Sequence, residues 1–251
     1  MPLPISAIVL TRNSEKTLAN TLRSLKDLKE VIVLDTGSTD TSKEIAKSFS
    51  NTRLYEHNFS GFGAARLLAT EYASFPWILS IDSDEVLSQK ALEDLLAKKL
   101  TPTKVYSFPF HNYFNGRFIQ WCGWYPDRHI RLFPKDKARF SSDFVHEKVL
   151  YEGLEEERLS SPIEHYSYGQ ISDFLDKMQR YSSLFAKQNQ YKQPSSLGKA
   201  LWHGCFAFFK SYILKRGFLG GQEGFIISLY NSQTAYYKYL KLWESNRDAS
   251  C

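Results

Sequence analysis

Over the first hundred residues, apolar, largely β-branched runs alternate with segments of helical periodicity, and that order restricts the chain to few folds. The runs "ISAIVLT" (5–11) and "EVIVLD" (30–35) have the composition of strands covered on both faces. Between them Leu18, Leu22 and Leu25 recur at helical spacing after a cap at Asn13 or Ser14. The turn "DTGSTDTS", the helix "SKEIAKSF", the strand "TRLYEH", the helix "GAARLLATEYA" and the strand "WILSID" follow. Such alternation predicts an α/β fold, a mostly parallel sheet with helices on both faces. Ligands of these sheets sit at the carboxyl ends of the strands, where Asp35, Asp82 and Asp84 all fall.

Composition narrows the class. At 251 residues, 43% hydrophobic and 24% charged, the chain has length for one large or two modest domains. The start "MPLPISAIVLTRN" has no basic leader and no small-residue cleavage site, so it is read as a first strand and the chain is expected in the cytoplasm. Cys122, Cys205 and Cys251 lack metal-ligand spacing and are expected as free thiols. A net charge of +5, spread along the chain, does not describe a nucleic-acid binder, whereas a phosphate-bearing partner fits.

The segment "PWILSIDSDEVLS" places Asp82, Asp84 and Glu85 straight after an apolar strand. Two carboxylates one residue apart can offer hard oxygens to Mg²⁺ or Mn²⁺, which complete their shell with waters and substrate phosphate. The plainer alternative is that these acids supply the cap and first turn of the helix "SQKALEDLLAKK". An EF-hand loop is excluded, because its glycine and later acids are absent. Upstream, "FSGFGAAR" sets Gly61 and Gly63 before a helix carrying Arg66, a combination that lets backbone approach a phosphate and offers it a guanidinium.

The strand followed by "TRN", the "D-x-G-S-x-D" turn, the glycine loop with its arginine, and the D-x-D ending the fourth strand occur in one order over residues 3 to 90. In this the chain resembles the inverting nucleotide-sugar glycosyltransferases of family 2, which have the GT-A fold. The later stretches "CGWYPDRHIRLFPKDKARFSSDFVHEKVLYEG" and "IEHYSYGQISDFLDKMQRYSSLFA" resemble the subgroup that adds β-glucose to the lipopolysaccharide inner core. The resemblance implies a UDP-sugar donor, a lipid-linked saccharide acceptor and a divalent cation. It further implies Asp84 as a metal ligand with His165 as a further one, Asp82 at the ribose or a metal-bound water, and Thr11, Arg12 and Asp35 at the nucleoside. Gly61, Gly63 and Arg66 would meet the diphosphate, and Glu147 would be the base that takes the acceptor's proton.

Three positions depart from the family pattern. Thr36 replaces the second aspartate, Arg12 stands where a ring is common, and Leu67 follows the loop arginine in place of asparagine. The Q-x-x-R-W signature of processive synthases is missing, so single-sugar addition is expected. For Glu147 the structural alternative is a surface partner of Lys148 or Arg139; for His165, a core or capping histidine. Trp121 and Trp124 are either stacking surfaces for sugars or core filler.

The character changes at Pro194 to Gly198, which divides a catalytic domain (1–193, with a nucleotide half 1–100 and an acceptor half 101–193) from a helical segment 194–251. Residues 195–251 hold seven Lys and Arg against three acids, with twelve aromatics. No apolar run approaches the about 20 residues of a membrane span. The segment reads either as lying on an anionic membrane surface, the inner face of the cytoplasmic membrane, or as a hairpin packed on the catalytic domain or on a second copy in a homo-oligomer. A nucleotidylyltransferase would show its glycine loop after the first strand, where this chain has "LTRNSEK". A non-catalytic binding module has no use for the D-x-D, the loop arginine and a base together. A peptide or another lipid-linked glycan stays open as acceptor.

Overall fold

The computed structural model describes residues 4–143 and 147–247. Strands and helices alternate as β1 (Ile5–Thr11), α1 (Leu18–Ser24), β2 (Glu30–Asp35), α2 (Ser42–Lys47), β3 (Thr52–Glu56), α3 (Phe62–Glu71) and β4 (Trp77–Asp82). After β4 come β5 (Glu85–Leu87), α4 (Gln89–Ala97), β6 (Lys104–Phe114), β7 (Arg117–Phe118), β8 (Arg128–Pro134), β9 (Arg139–Phe140), β10 (Val149–Leu150), β11 (Glu155–Arg158) and β12 (Ile163–Tyr168). The last helices are α5 (Ile171–Asn189), α6 (Leu197–Phe209) and α7 (Gly221–Arg247).

The sheet order is β3-β2-β1-β4-β8-β6-β12-β5. Its first four strands are parallel, as the alternation predicts. β8 then enters antiparallel between β4 and β6. Period-two alternation along β1 explains the two layers of helices. Ile5, Ala7 and Val9 pack with Leu18, Leu22, Leu25 and Leu92 on one face, while Ile8 and Leu10 pack with Ala65, Ala69 and Phe133 on the other. The α/β class expected from sequence is the fold observed, a sheet parallel over β1 to β4 and mixed beyond, flanked by helices and followed by a helical segment.

Two compact units divide the chain: residues 1–111 with 127–166, and 112–126 with 167 onward. The division falls at Tyr166 and Ser167, earlier than the composition change at Pro194. The reason is that α5 packs along α7, where Lys241 Nζ donates to Gln179 Oε1 at 2.8 Å and to Ser183 Oγ at 3.0 Å. Within this second unit Phe114, Ile119, Cys122, Phe174 and Ile227 form a buried cluster. Trp121 and Trp124 pack against it, Trp124 stacking on Tyr168 with ring centroids 5.2 Å apart, so they fill core rather than line a sugar site. Cys122 is buried and Cys205 exposed, both free; Cys251 lies outside the described residues.

Candidate active site

Register brings the carboxyl ends of three strands together, Thr11 lying beside Asp35 and Leu10 beside Asp82. Asp35 is fully buried, and its Oδ1 accepts from the N–H groups of Gly37 (3.0 Å) and Ser38 (2.9 Å). This turn aims the carboxylate. Asp35 Oδ2 and Thr11 Oγ1 are buried without a hydrogen-bond partner among the described residues. Folded chains rarely leave such oxygens unpaired. Arg12 is exposed beside them, next to Asn13, whose φ of 51° turns the chain and whose Oδ1 accepts from Thr39 N at 2.8 Å. Thr36, in place of the family's second acid, donates its hydroxyl to Thr11 O at 3.2 Å.

The D-x-D forms the turn between β4 and β5. Ser83 at its centre is fastened to the β1–α1 region, its carbonyl accepting from Thr21 Oγ1 at 3.0 Å and its hydroxyl lying 2.8 Å from that of Ser14. The helix-capping alternative for these acids does not hold. Ser88 caps α4, accepting from Ala91 N, and no acid lies in the first turn. Asp84 is paired instead with His165, Nε2 to Oδ2 at 3.5 Å. β12 runs antiparallel to β5 with His165 opposite Glu85, and Tyr166 N donates to Asp84 O at 2.9 Å. Burial opposes charge on His165, but Asp84, Glu85 and Asp82 outweigh it and hold its pKa above the usual histidine range. A carboxylate and an imidazole are donors of a kind that a divalent cation accepts, the imidazole only in its neutral form. No group of three or more His, Cys, Asp and Glu able to hold a metal converges among the described residues.

Arg66 is the hub of the opposite side. Only 4% exposed, it donates from Nε to Glu147 Oε1 (2.7 Å), from Nη1 to Ser80 Oγ (2.6 Å) and from Nη2 to Asp82 Oδ1 (2.5 Å). Its guanidinium therefore faces protein carboxylates, which corrects the expectation that it meets a phosphate. Glu147 is not a surface partner of Lys148 or Arg139; Arg66 draws it to the end of β4. Its other oxygen, Oε2, has no hydrogen-bond partner among the described residues. Gly63 is likewise explained by the protein. A Cβ there would lie 2.2 Å from Ser141 O, and Gly63 N donates to Asp143 O at 3.1 Å, so the close approach is to residues 141–143 rather than to a ligand. Gly61 stands at the N-terminus of α3 with φ of 110°, which glycine adopts without strain.

Sequence reasoning missed Arg131 and, having grouped Glu85 with Asp82 and Asp84, gave it no role of its own. Arg131, from β8, donates to Asp82 Oδ2 at 3.2 Å and to Glu85 Oε1. Burial would raise the Asp82 pKa, but Arg66 and Arg131 hold it well below the usual carboxylate range. Burial pushes Glu85 up to about 7 against the pull of Arg131. An arginine inside the apolar run "HIRLF" was the available signal. Beside Asp84 opens a cleft of about 580 Å³, whose wall includes Lys16, Arg23, Lys26 and Tyr166.

The family described as Glycosyl transferase family 2 matches residues 6–153. A lipopolysaccharide core biosynthesis glycosyltransferase of Rhizobium meliloti, LpsC, is 26% identical over 96% of this chain and 93% of its own length. An uncharacterized glycosyltransferase of Rickettsia typhi is 27% identical over 96% and 87%. Among solved structures, S. aureus TarS in complex with UDP-GlcNAc aligns over 98% of this chain and 90% of its own, at 16% identity and a TM-score of 0.48.

Proposed function

The chain belongs to glycosyl transferase family 2, and from that premise we propose that it moves one glucose from UDP-glucose to a saccharide of the lipopolysaccharide core, inverting the anomeric carbon. The observation that carries the reading is the convergence at the end of β4 of the Asp84–His165 pair with Glu147, which Arg66 ties to Asp82. The unpaired oxygens of Thr11 and Asp35, with Arg12 beside them, suit the hydroxyls and polar edge of a nucleoside. Asp82 keeps lone pairs for the ribose. Asp84 and His165 would hold Mg²⁺ or Mn²⁺, which when bound supplies positive charge for the departing diphosphate.

Glu147 does the acid–base work in this scheme. Held through Oε1, it presents Oε2 to the acceptor hydroxyl and takes its proton as the oxygen attacks the anomeric carbon from the face opposite UDP. Lys16, Arg23 and Lys26 give an anionic group of either substrate a place to lie in the cleft beside Asp84. The core-saccharide acceptor is carried over from the Rhizobium relative's name. Such an acceptor is lipid-linked, which sets the reaction at the inner face of the cytoplasmic membrane.

Hydrolysis of a panel of UDP-sugars with Mn²⁺ or Mg²⁺ tests the reading, with EDTA and Asp84→Ala as controls. Turnover of UDP-glucose that falls about a hundredfold or more in both controls is expected. Turnover untouched by EDTA and by the variant removes the metal role. Preference for another UDP-sugar replaces glucose, and inactivity with every donor, with and without membrane lipid extract, overturns the function.

A further inference from the structure

α6 has two unlike faces. Ala200 and Gly204 are buried, and Gly204 lies against α7, its carbonyl accepting from Ser232 Oγ at 2.9 Å. A Cβ on Gly204 would stand 3.1 Å from that of Tyr236, so this face is closed. On the other side Trp202, Phe206 and Phe209 are exposed at spacings of four and three that gather them into one stripe, Trp202 at 69%, while exposed Leu197 and Leu201 lie toward its edge. The turns that follow, Lys210–Leu214 and Gly217–Gly220, add exposed Ile213, Leu214, Phe218 and Leu219. Large apolar side chains exposed together in such number are what an interaction surface presents.

Charge selects the occupant. From Lys177 to Gln222 the chain carries eight Lys and Arg and no Asp or Glu. Lys210, Lys215 and Arg216, all exposed, lie on the same segment as the apolar residues. A second copy docked face to face would bring these cations against their own kind with no acid from the same segment to neutralise them. An anionic bilayer supplies both missing partners, acyl chains for the stripe and phosphates for the cations. No helix among the described residues is long and apolar enough to cross a membrane.

We propose that the outward face of α6 and the two turns after it rests in the surface of an anionic lipid bilayer, Trp202, Phe206 and Leu214 among the acyl chains and Lys210, Lys215 and Arg216 on headgroup phosphates. The inference deepens the reading of a lipid-linked acceptor by naming the surface that meets the lipid.

The test is sedimentation of the purified full-length protein with vesicles of phosphatidylcholine, alone or mixed with phosphatidylglycerol, in low and high salt. The wild type should bind the anionic vesicles, and salt should weaken the binding. Two exposed-site variants, Trp202→Glu with Leu214→Glu and Lys210→Gln with Lys215→Gln, should each lower partition about tenfold or more. Thermal melting and donor hydrolysis without vesicles should stay unchanged in both. No binding by the wild type, or undiminished binding by both variants, overturns the proposal. So does a concentration-dependent dimer, without vesicle binding, that Trp202→Glu with Leu214→Glu dissolves. Vesicle binding as expected, in a wild type that turns over no donor, keeps the docking surface and defeats only the sugar-transfer reading.

Discussion

Glu147 is held by one oxygen and open at the other, an arrangement that separates its structural duty from its chemical one. Glu147→Gln tests the separation, because the amide carbonyl can still accept from Arg66 while the base is gone. Donor hydrolysis or transfer should fall by about 10²–10⁴ in kcat, with KM for the donor little changed and the melting temperature kept. A second carboxylate shows the opposite case, a purely structural acid. Glu30 is 6% exposed and accepts from Ser74 N (2.8 Å), Ser74 Oγ (2.7 Å) and Arg53 Nη1 (3.0 Å), as well as from Ser6 Oγ. Burial would raise its pKa, but these donors outweigh burial and lower it. Its stabilisation is therefore complete above the ordinary carboxylate range and is lost as pH falls through the lowered value. Glu30→Gln should cost about 1–3 kcal/mol near neutrality, and the gap to wild type should narrow in acid, as urea denaturation at several pH values would show. The places of Asp35 and Asp82 at strand ends, and of Asp84 in the turn that follows, were legible in short motifs. Arg131 was not, since a charge in an apolar strand names no partner until the strand's neighbours are known.

At the scale of elements, α3 and the segment 141–143 touch backbone to backbone at Gly63. An alanine there meets main-chain oxygens at 2.2 and 2.7 Å, which no rotamer can relieve. Gly63→Ala should lower stability by about 1–3 kcal/mol and reduce turnover as well, because residues 141–143 lead to Glu147. Melting temperature and donor hydrolysis measured on the same sample would check it. The glycine was legible as a special residue, but its cause was not, since the chain that fills the space lies some eighty positions further on. For the same reason the parallel strands β1 to β4 were readable from local periodicity. The antiparallel entry of β8 and the pairing of β12 with β5, which brings His165 to Asp84, are set by long-range pairing that periodicity does not encode.

For the whole molecule, the composition change at Pro194 was visible, whereas the interleaving of the two units was not. Cutting the chain after Gln193 tests which boundary matters. The cut removes Ile227 from the cluster of Phe114, Ile119, Cys122 and Phe174 and strips α5 of its partner. The truncated protein should accumulate as aggregate, read by size-exclusion chromatography and the insoluble fraction; a monodisperse, active 1–193 fragment would place the boundary at Pro194. The interleaving also has a temporal side. Phe114 and its neighbours leave the ribosome more than a hundred residues before Ile227 does. At about 5–20 residues per second, synthesis keeps those rings waiting on the order of ten seconds. Throughout that interval the nascent chain displays a sticky half-core, so whatever holds it at the exit tunnel takes part in deciding how much of this protein is born soluble.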